Sequence, residues 1–288
     1  MTALTLAGVP LEVGPAARLT GIEKRVLQEL SDKDSARAST TVRGFRLELE
    51  DATIDELSVT AASTSDPATV TADGGRIGLS HQMFQAVVDL TTGSGVLKRD
   101  PRTVFPLQVT LRVIMCGQLP AMGMVPLHAA GVLIGADGVG LFGPSGAGKT
   151  TIAGVSPHPV LSDELVVVGG SPPRIMSSSF FPAGCVTGGS HPLKGLVELA
   201  RGTKLSMVPL DPTEAFRRLL NVLMIPHTKA LWRASLQVLA GLVGEVPSWR
   251  LSWSLTHDPW PAVVSSLRST GESPGRSVSH EIVKGSCH

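Results

Sequence analysis

The sequence predicts an α/β protein in which a mostly β region, residues 1–118, precedes a mixed-sheet domain, residues 119–270. Three observations predict this. Strictly alternating stretches in the first region mark half-buried strands. Near Met122 the pattern changes to apolar strands interrupted by glycine turns and followed by capped helices. The 31 glycines and 21 prolines supply the turns that many short strands require.

In chain order, "GIEKRVLQEL" (21–30) carries Ile22, Val26, Leu27 and Leu30 at helical spacing, without deciding helix against strand. "FRLELE" (45–50) turns Phe45, Leu47 and Leu49 one way and Arg46, Glu48 and Glu50 the other. "TADGG" (71–75) is a turn. Phe105–Leu119 reads as a helix, with Pro106 in its first turn and Leu107, Leu111 and Ile114 on one face. "VPLHAAGVLIGADGVGLF" (125–142) gives a strand, a turn at Asp137-Gly138 and a second strand. "PVLSDELVVV" (159–168) reads as one buried strand with two acids in its middle. Asp211 caps a helix, Pro212 takes its first position, and Glu214 completes a capping box. The stripe of that helix is Phe216, Leu219, Leu220, Leu223 and Met224. Trp249, Leu251, Trp253 and Leu255 alternate as core residues of a strand, and Asp258-Pro259 opens a last helix. Residues 271–288 are Ser, Gly and charge and are predicted to be disordered.

The formal net charge of +1 gives no reason to expect nucleic acid or a membrane surface as partner. The N-terminus lacks the basic lead of a signal peptide, and the apolar region Leu119–Phe142 is broken by Pro126, His128 and Asp137. Cys116, Cys185 and Cys287 are scattered and odd in number, which argues against a disulfide framework or a zinc site. A reducing, cytoplasmic setting is expected.

The stretch Gly143-Pro144-Ser145-Gly146-Ala147-Gly148-Lys149-Thr150, followed by Thr151, fits G-x-x-x-x-G-K-[ST] at every fixed position. Each residue type has a reason. The glycines admit backbone angles and close approach that a side chain would block. Successive N–H groups then converge on a polyphosphate. Lys149 adds a full charge at the outer phosphates, and Thr150 offers a hydroxyl to Mg²⁺. An apolar strand before the loop and a short helical stretch after it, ended by Gly154, supply the expected context. The predicted ligand is ATP with Mg²⁺. No Asn-Lys-x-Asp motif, which would read guanine, is present.

"LHAAGVLIGADGVGLFGPSGAGKTT" followed by "VLSDELVVV" resembles the HPr kinase/phosphorylase family, relatives of ATP-dependent phosphoenolpyruvate carboxykinase. That family sets a histidine on a strand, a hairpin, the phosphate loop and an acid pair closing the next strand. His128, Gly143–Thr150 and Asp163-Glu164 stand in that order. "HPLKGLVELARGTKLSMVPLDPTEAFRRLL" and "VPSWRLSWSLTHDPWPAVV" resemble a subgroup associated with clusters that make ribosomally synthesised, modified peptides. The resemblance spans Leu119 to Leu267.

What it implies is ATP-dependent phosphorylation of a hydroxyl, such as a serine of a peptide. Lys149 and Thr150 would hold ATP and magnesium, Asp163 would receive the hydroxyl proton, His128 would pair with an acid there, and Glu164 would reach the metal. The implied partners are a nucleotide and a precursor or leader peptide or a partner biosynthetic protein. The family's hexamers imply a homo-oligomer. The residues alone leave a plainer alternative: a hydrogen-bonded core histidine and two acids at a strand end. The further acidic, glycine-rich signature of HPr kinases is not present. "FFPAGCVTGGSHPLKG" stands in its place, offering Gly188, Gly189, His191 and Lys194, with Arg201 beyond. A catalytically impaired chain that binds a precursor peptide or partner enzyme as a scaffold is therefore the alternative function.

Overall fold

Alternation in the first region becomes a seven-stranded sheet. The computed structural model describes residues 1–33, 44–53, 55–57, 68–178, 188–225 and 228–269. The tail at 271–288, Cys185 and Cys287 lie outside the described residues. The elements of the first region are β1 (Thr2–Leu6), β2 (Val9–Gly14), α1 (Gly21–Lys33), β3 (Phe45–Asp51), β4 (Thr69–Asp73), β5 (Arg76–His81), β6 (Phe84–Asp89) and β7 (Ser94–Arg99). They pair in the order β1-β2-β3-β7-β6-β5-β4, with β2, β3 and β7 parallel and the remaining pairs antiparallel. In β3 the odd positions Phe45, Leu47 and Leu49 are buried and Arg46, Glu48 and Glu50 exposed, as a period of two requires.

The ambiguous stretch at 21–30 is helical. Thr20 Oγ1 accepts the Glu23 amide at 3.2 Å and Glu23 returns a carboxylate to the Thr20 amide at 2.9 Å, a reciprocal box that starts α1. Leu27 and Leu30 face the sheet, whereas Ile22 is half exposed.

Arg99, at the end of β7, is fully buried. Its guanidinium takes both Glu23 oxygens at 2.7 Å, Asp51 Oδ1 at 2.7 Å and the Arg18 carbonyl at 2.9 Å. One side chain thus ties β7 to α1, to the end of β3 and to the loop between β2 and α1.

The second region comprises α2 (Phe105–Gln118), β8 (Met124–Leu127), β9 (Ala129–Ile134), β10 (Asp137–Phe142), α3 (Lys149–Gly154), β11 (Val160–Ser162), β12 (Val166–Gly169), β13 (Arg174–Ser177), β14 (Ser190–Arg201), β15 (Ser206–Leu210), α4 (Pro212–Leu220), α5 (Lys229–Glu245), β16 (Ser248–Trp253) and α6 (Trp260–Ser269). Its nine strands follow β11-β9-β10-β14-β13-β12-β8, with β16 beside β14 and β15 beyond β16. β10, β14 and β16 run parallel and β9 antiparallel to them, so both sheets are mixed and the protein is α/β. α2 buries Leu107, Leu111, Ile114 and Met115 in a core shared by the first sheet and Leu165, Val167 and Met176 of the second. Each such side chain contributes about 1.5–3 kcal/mol on burial. Among the described residues no helix is long and apolar enough to cross a membrane.

Several expectations require correction. The β9–β10 turn is Gly135–Ala136, not Asp137-Gly138; Asp137 already pairs with Ile134, and Gly135 at φ +67 supplies the left-handed turn residue. "PVLSDELVVV" is two strands, not one. It breaks at Asp163–Leu165, so that β11 pairs β9 while β12 pairs β8 and β13. His128 lies between β8 and β9 rather than within a strand. Glu214 does not complete a box with Asp211. Asp211 Oδ1 accepts the Thr213 and Glu214 amides, while the Glu214 carboxylate takes Arg218 Nε at 2.7 Å. α4 ends at Leu220, before Leu223 and Met224. Leu255 is not core but 74% exposed, because β16 stops at Trp253.

Candidate functional site

The glycine loop leaves the end of β10 and leads into α3. Gly143 has φ +154, and a Cβ there would stand 2.9 Å from the Leu199 carbonyl oxygen of β14. Gly148 has φ +94, and a Cβ there would meet the Trp253 ring at 3.1 Å. At these two positions glycine is demanded both by backbone angle and by space. The loop therefore lies close on β14 and on the end of β16. Arg201, closing β14, donates Nε to the Gly146 carbonyl at 3.1 Å.

Lys149 is 6% exposed, and its ammonium donates to the Gly143 and Pro144 carbonyls at 3.0 and 3.3 Å. Burial pushes its pKa down, an effect that the charge of Glu164 opposes.

The two strand breaks form the facing wall. β8 runs into β9 through His128, and β11 into β12 through Asp163–Leu165. Because β9 pairs β11 and β8 pairs β12, the breaks lie side by side. His128 Nδ1 is 3.4 Å from Glu164 Oε1, and the His128 amide is held by the Val222 carbonyl at 2.7 Å. Burial, and then the Lys149 charge, lower the His128 pKa against the pull of Glu164, so the imidazole is neutral at pH 7. Asp163 is 8% exposed, and its Oδ1 is buried with no hydrogen-bond partner. Burial pushes its pKa up, and the neighbouring Glu164 charge adds to that.

A raised carboxyl pKa is a stability cost when the group is ionised. Above the folded value Asp163 is charged in both states and the folded state is penalised; as pH falls through that value the native carboxyl binds its proton first and the cost disappears. Asp163→Asn in Mg²⁺-free buffer is therefore expected to raise the melting temperature at pH 7.5. The gain should vanish near pH 4. A loss of stability at pH 7.5 would contradict this account.

A cleft of about 700 Å³ joins these parts. Its lining includes His128, Glu164, Ser145, Gly146, Ala147, Gly148, Lys149, Thr150 and Thr151. Gly143 and Pro144 shape the loop without lining the cleft, and Asp163 does not line it either. Gly202, Trp253, Ser254 and Leu255, which sequence reasoning did not single out as site residues, complete the lining with Arg201. No local signal marks them, since the alternation of Trp249, Leu251, Trp253 and Leu255 carries Leu255 into the core. His191 accompanies Gly188, with its Nε2 3.3 Å from that residue's carbonyl. Lys194 is exposed seven residues before Arg201, about 23 Å along β14. Gly188, Gly189, His191 and Lys194 do not line the cleft.

Among the described residues there is no group of three or more His, Cys, Asp or Glu arranged to hold a metal ion. Cys116 is free and buried, its thiol pushed up to about 12 by desolvation. No family model and no curated protein matches the sequence.

Proposed function

We propose that the chain is a nucleotide-dependent phosphotransferase built around a P-loop that holds ATP and magnesium. Within that class we read it as an HPr-kinase-like protein of the kind associated with modified-peptide biosynthesis, with a hydroxyl such as a peptide serine as acceptor. One observation carries the reading: a glycine-rich loop with a buried lysine faces a carboxylate–imidazole pair across a single cleft.

The residues fit the ligand on two counts. Gly143 and Gly148 hold left-handed backbone angles where a side chain would press on Leu199 and Trp253, so the loop keeps the glycine-only course that a backbone cradle for phosphate uses. Thr150 and Glu164 both line the cleft, and a magnesium ion that also takes phosphate oxygens needs only one or two protein ligands. When bound, the metal neutralises charge on the phosphates. Lys149 is available to hold the terminal phosphate by exchanging its bonds to the Gly143 and Pro144 carbonyls for phosphate oxygens. We assign the acceptor's proton to the pair facing the cleft. With its Nδ1 proton directed to Glu164, neutral His128 keeps Nε2 free to receive it. Asp163 is the second carboxylate of this corner, and its unpartnered Oδ1 is open to a donor.

The scaffold reading is favoured by one observation: Asp163 does not line the cleft. Phosphoryl transfer from MgATP to serine-containing peptides, measured for wild type, His128→Ala and Glu164→Gln, separates the two. General-base loss predicts a fall of roughly 10²–10⁴ in both variants. Tight MgATP binding without transfer in the wild type would replace the kinase reading by the scaffold.

A further inference from the structure

The cleft has two unlike ends, and the sheet order sets them apart. β9 and β11 flank β10 on one side, and the chain next to them carries His128 and Glu164. β14 and β16 lie on the other side and end in Arg201-Gly202 and Trp253–Leu255. The first end is charged. The second presents Leu255, 74% exposed, beside the buried ring that abuts Gly148.

Resting on the phosphate-loop reading above, we propose that the Arg201–Leu255 side of the cleft is the nucleoside subsite, in which Leu255 covers a face of the base and adenine and guanine are held nearly alike. A terminal phosphate must lie beside the groups that take the acceptor's proton, His128 and Glu164. The triphosphate then follows the loop across β10, and the nucleoside comes to rest at the opposite flank. Several of the polar groups there are turned to one another or to the loop. Ser254 Oγ is 2.8 Å from Thr256 Oγ1 and 3.1 Å from His257 Nδ1. Arg201 gives its Nε to Gly146, and the Gly202 amide donates to the Trp253 carbonyl at 3.0 Å. What remains for the base is an apolar face, and contact with a base's π-face does not depend on which base it is. A site that reads hydrogen-bonding edges rejects the wrong partner by about 10⁴-fold; here the guanidinium of Arg201 lies over the phosphate loop at Gly146, where its remaining donors serve phosphate and not the base.

Calorimetric titration of the full chain with MgATP, MgGTP and magnesium tripolyphosphate tests the proposal, in wild type and Leu255→Ala. Wild type is expected to bind ATP and GTP within about fivefold of each other and both about tenfold more tightly than tripolyphosphate. Leu255→Ala should remove most of that tenfold advantage while tripolyphosphate binds as before. Because Leu255 is exposed, its truncation leaves the core intact. Tripolyphosphate binding as well as ATP to wild type, an equal loss or no loss for all three ligands in the variant, or a preference between ATP and GTP beyond about fivefold would overturn the subsite. Failure of all three ligands to bind wild type would instead remove the phosphate-loop reading on which it rests.

Discussion

Arg99→Met is expected to destabilise the protein by about 3–5 kcal/mol, because it leaves Glu23 charged and buried without its partner. Both side chains of the pair are fully buried, so water cannot replace the lost bonds. Glu23 would keep only the Thr20 amide. Asp51, half exposed, would be rehydrated at little cost. Urea denaturation measures the effect, with Arg46→Met as the control. Arg46 pairs with Glu12 at 3.2 Å on the surface, where both partners are about half exposed, and such pairs are worth at most about 1 kcal/mol. Adding Glu23→Leu to Arg99→Met should recover part of the loss, since removing both charges ends the unpaired burial. Equal and small effects of Arg99→Met and Arg46→Met would contradict the role given to this cluster.

Lys149→Ala is expected to abolish phosphoryl transfer and to weaken MgATP binding by roughly 10- to 150-fold, the equivalent of one hydrogen bond to a charged group. The ammonium is the buried cation of the loop and donates to two of its carbonyls. Its removal leaves Gly143 and Gly148 unchanged, so the cradle keeps its shape while losing its charge. Melting temperature without nucleotide guards against a folding defect and should move by only a few degrees. Unaltered binding and transfer in the variant would show that the loop is not where the phosphates go.

The parts of the fold legible in the sequence were those fixed by local periodicity and local chemistry. β3 alternates, α2 shows its stripe after Pro106, Asp211 and Asp258 start their helices, and the loop motif stands between a strand and a helix. The spacing in α1 does not decide helix against strand, although Thr20 and Glu23 spell its cap. α5, the longest helix among the described residues, is not evident from the sequence. It has Thr228 as its cap and buries Leu239, Leu242 and Val243, but a mean composition rich in apolar residues blurs its stripe. β14 was hidden for a different reason. It is central and packed on both faces, so Leu196, Val197, Glu198 and Leu199 are all buried and no period of two remains. Glu198 tolerates that place because Arg218 takes both of its oxygens, at 2.6 and 2.8 Å.

At the site the sequence gathered the loop, His128 and the acid pair, but not how the pair divides. Which of two adjacent acids faces the cleft depends on where "VLSDELVVV" breaks, and the break follows from β11 and β12 pairing with different strands. Long-range pairing of that kind leaves no local signature. The nucleoside side was missed for a similar reason: alternation carried Leu255 into the core, whereas β16 ends two residues earlier.

The central claim is that the backbone between Gly143 and Thr150, with Lys149, grips a triphosphate. Titration of the wild-type chain with MgATP and, separately, with AMP tests it most directly. The prediction is one site per chain and at least about 100-fold tighter binding of MgATP, from the added bonds to charged phosphates. Equal affinity for the two nucleotides, or no binding of MgATP, would contradict it.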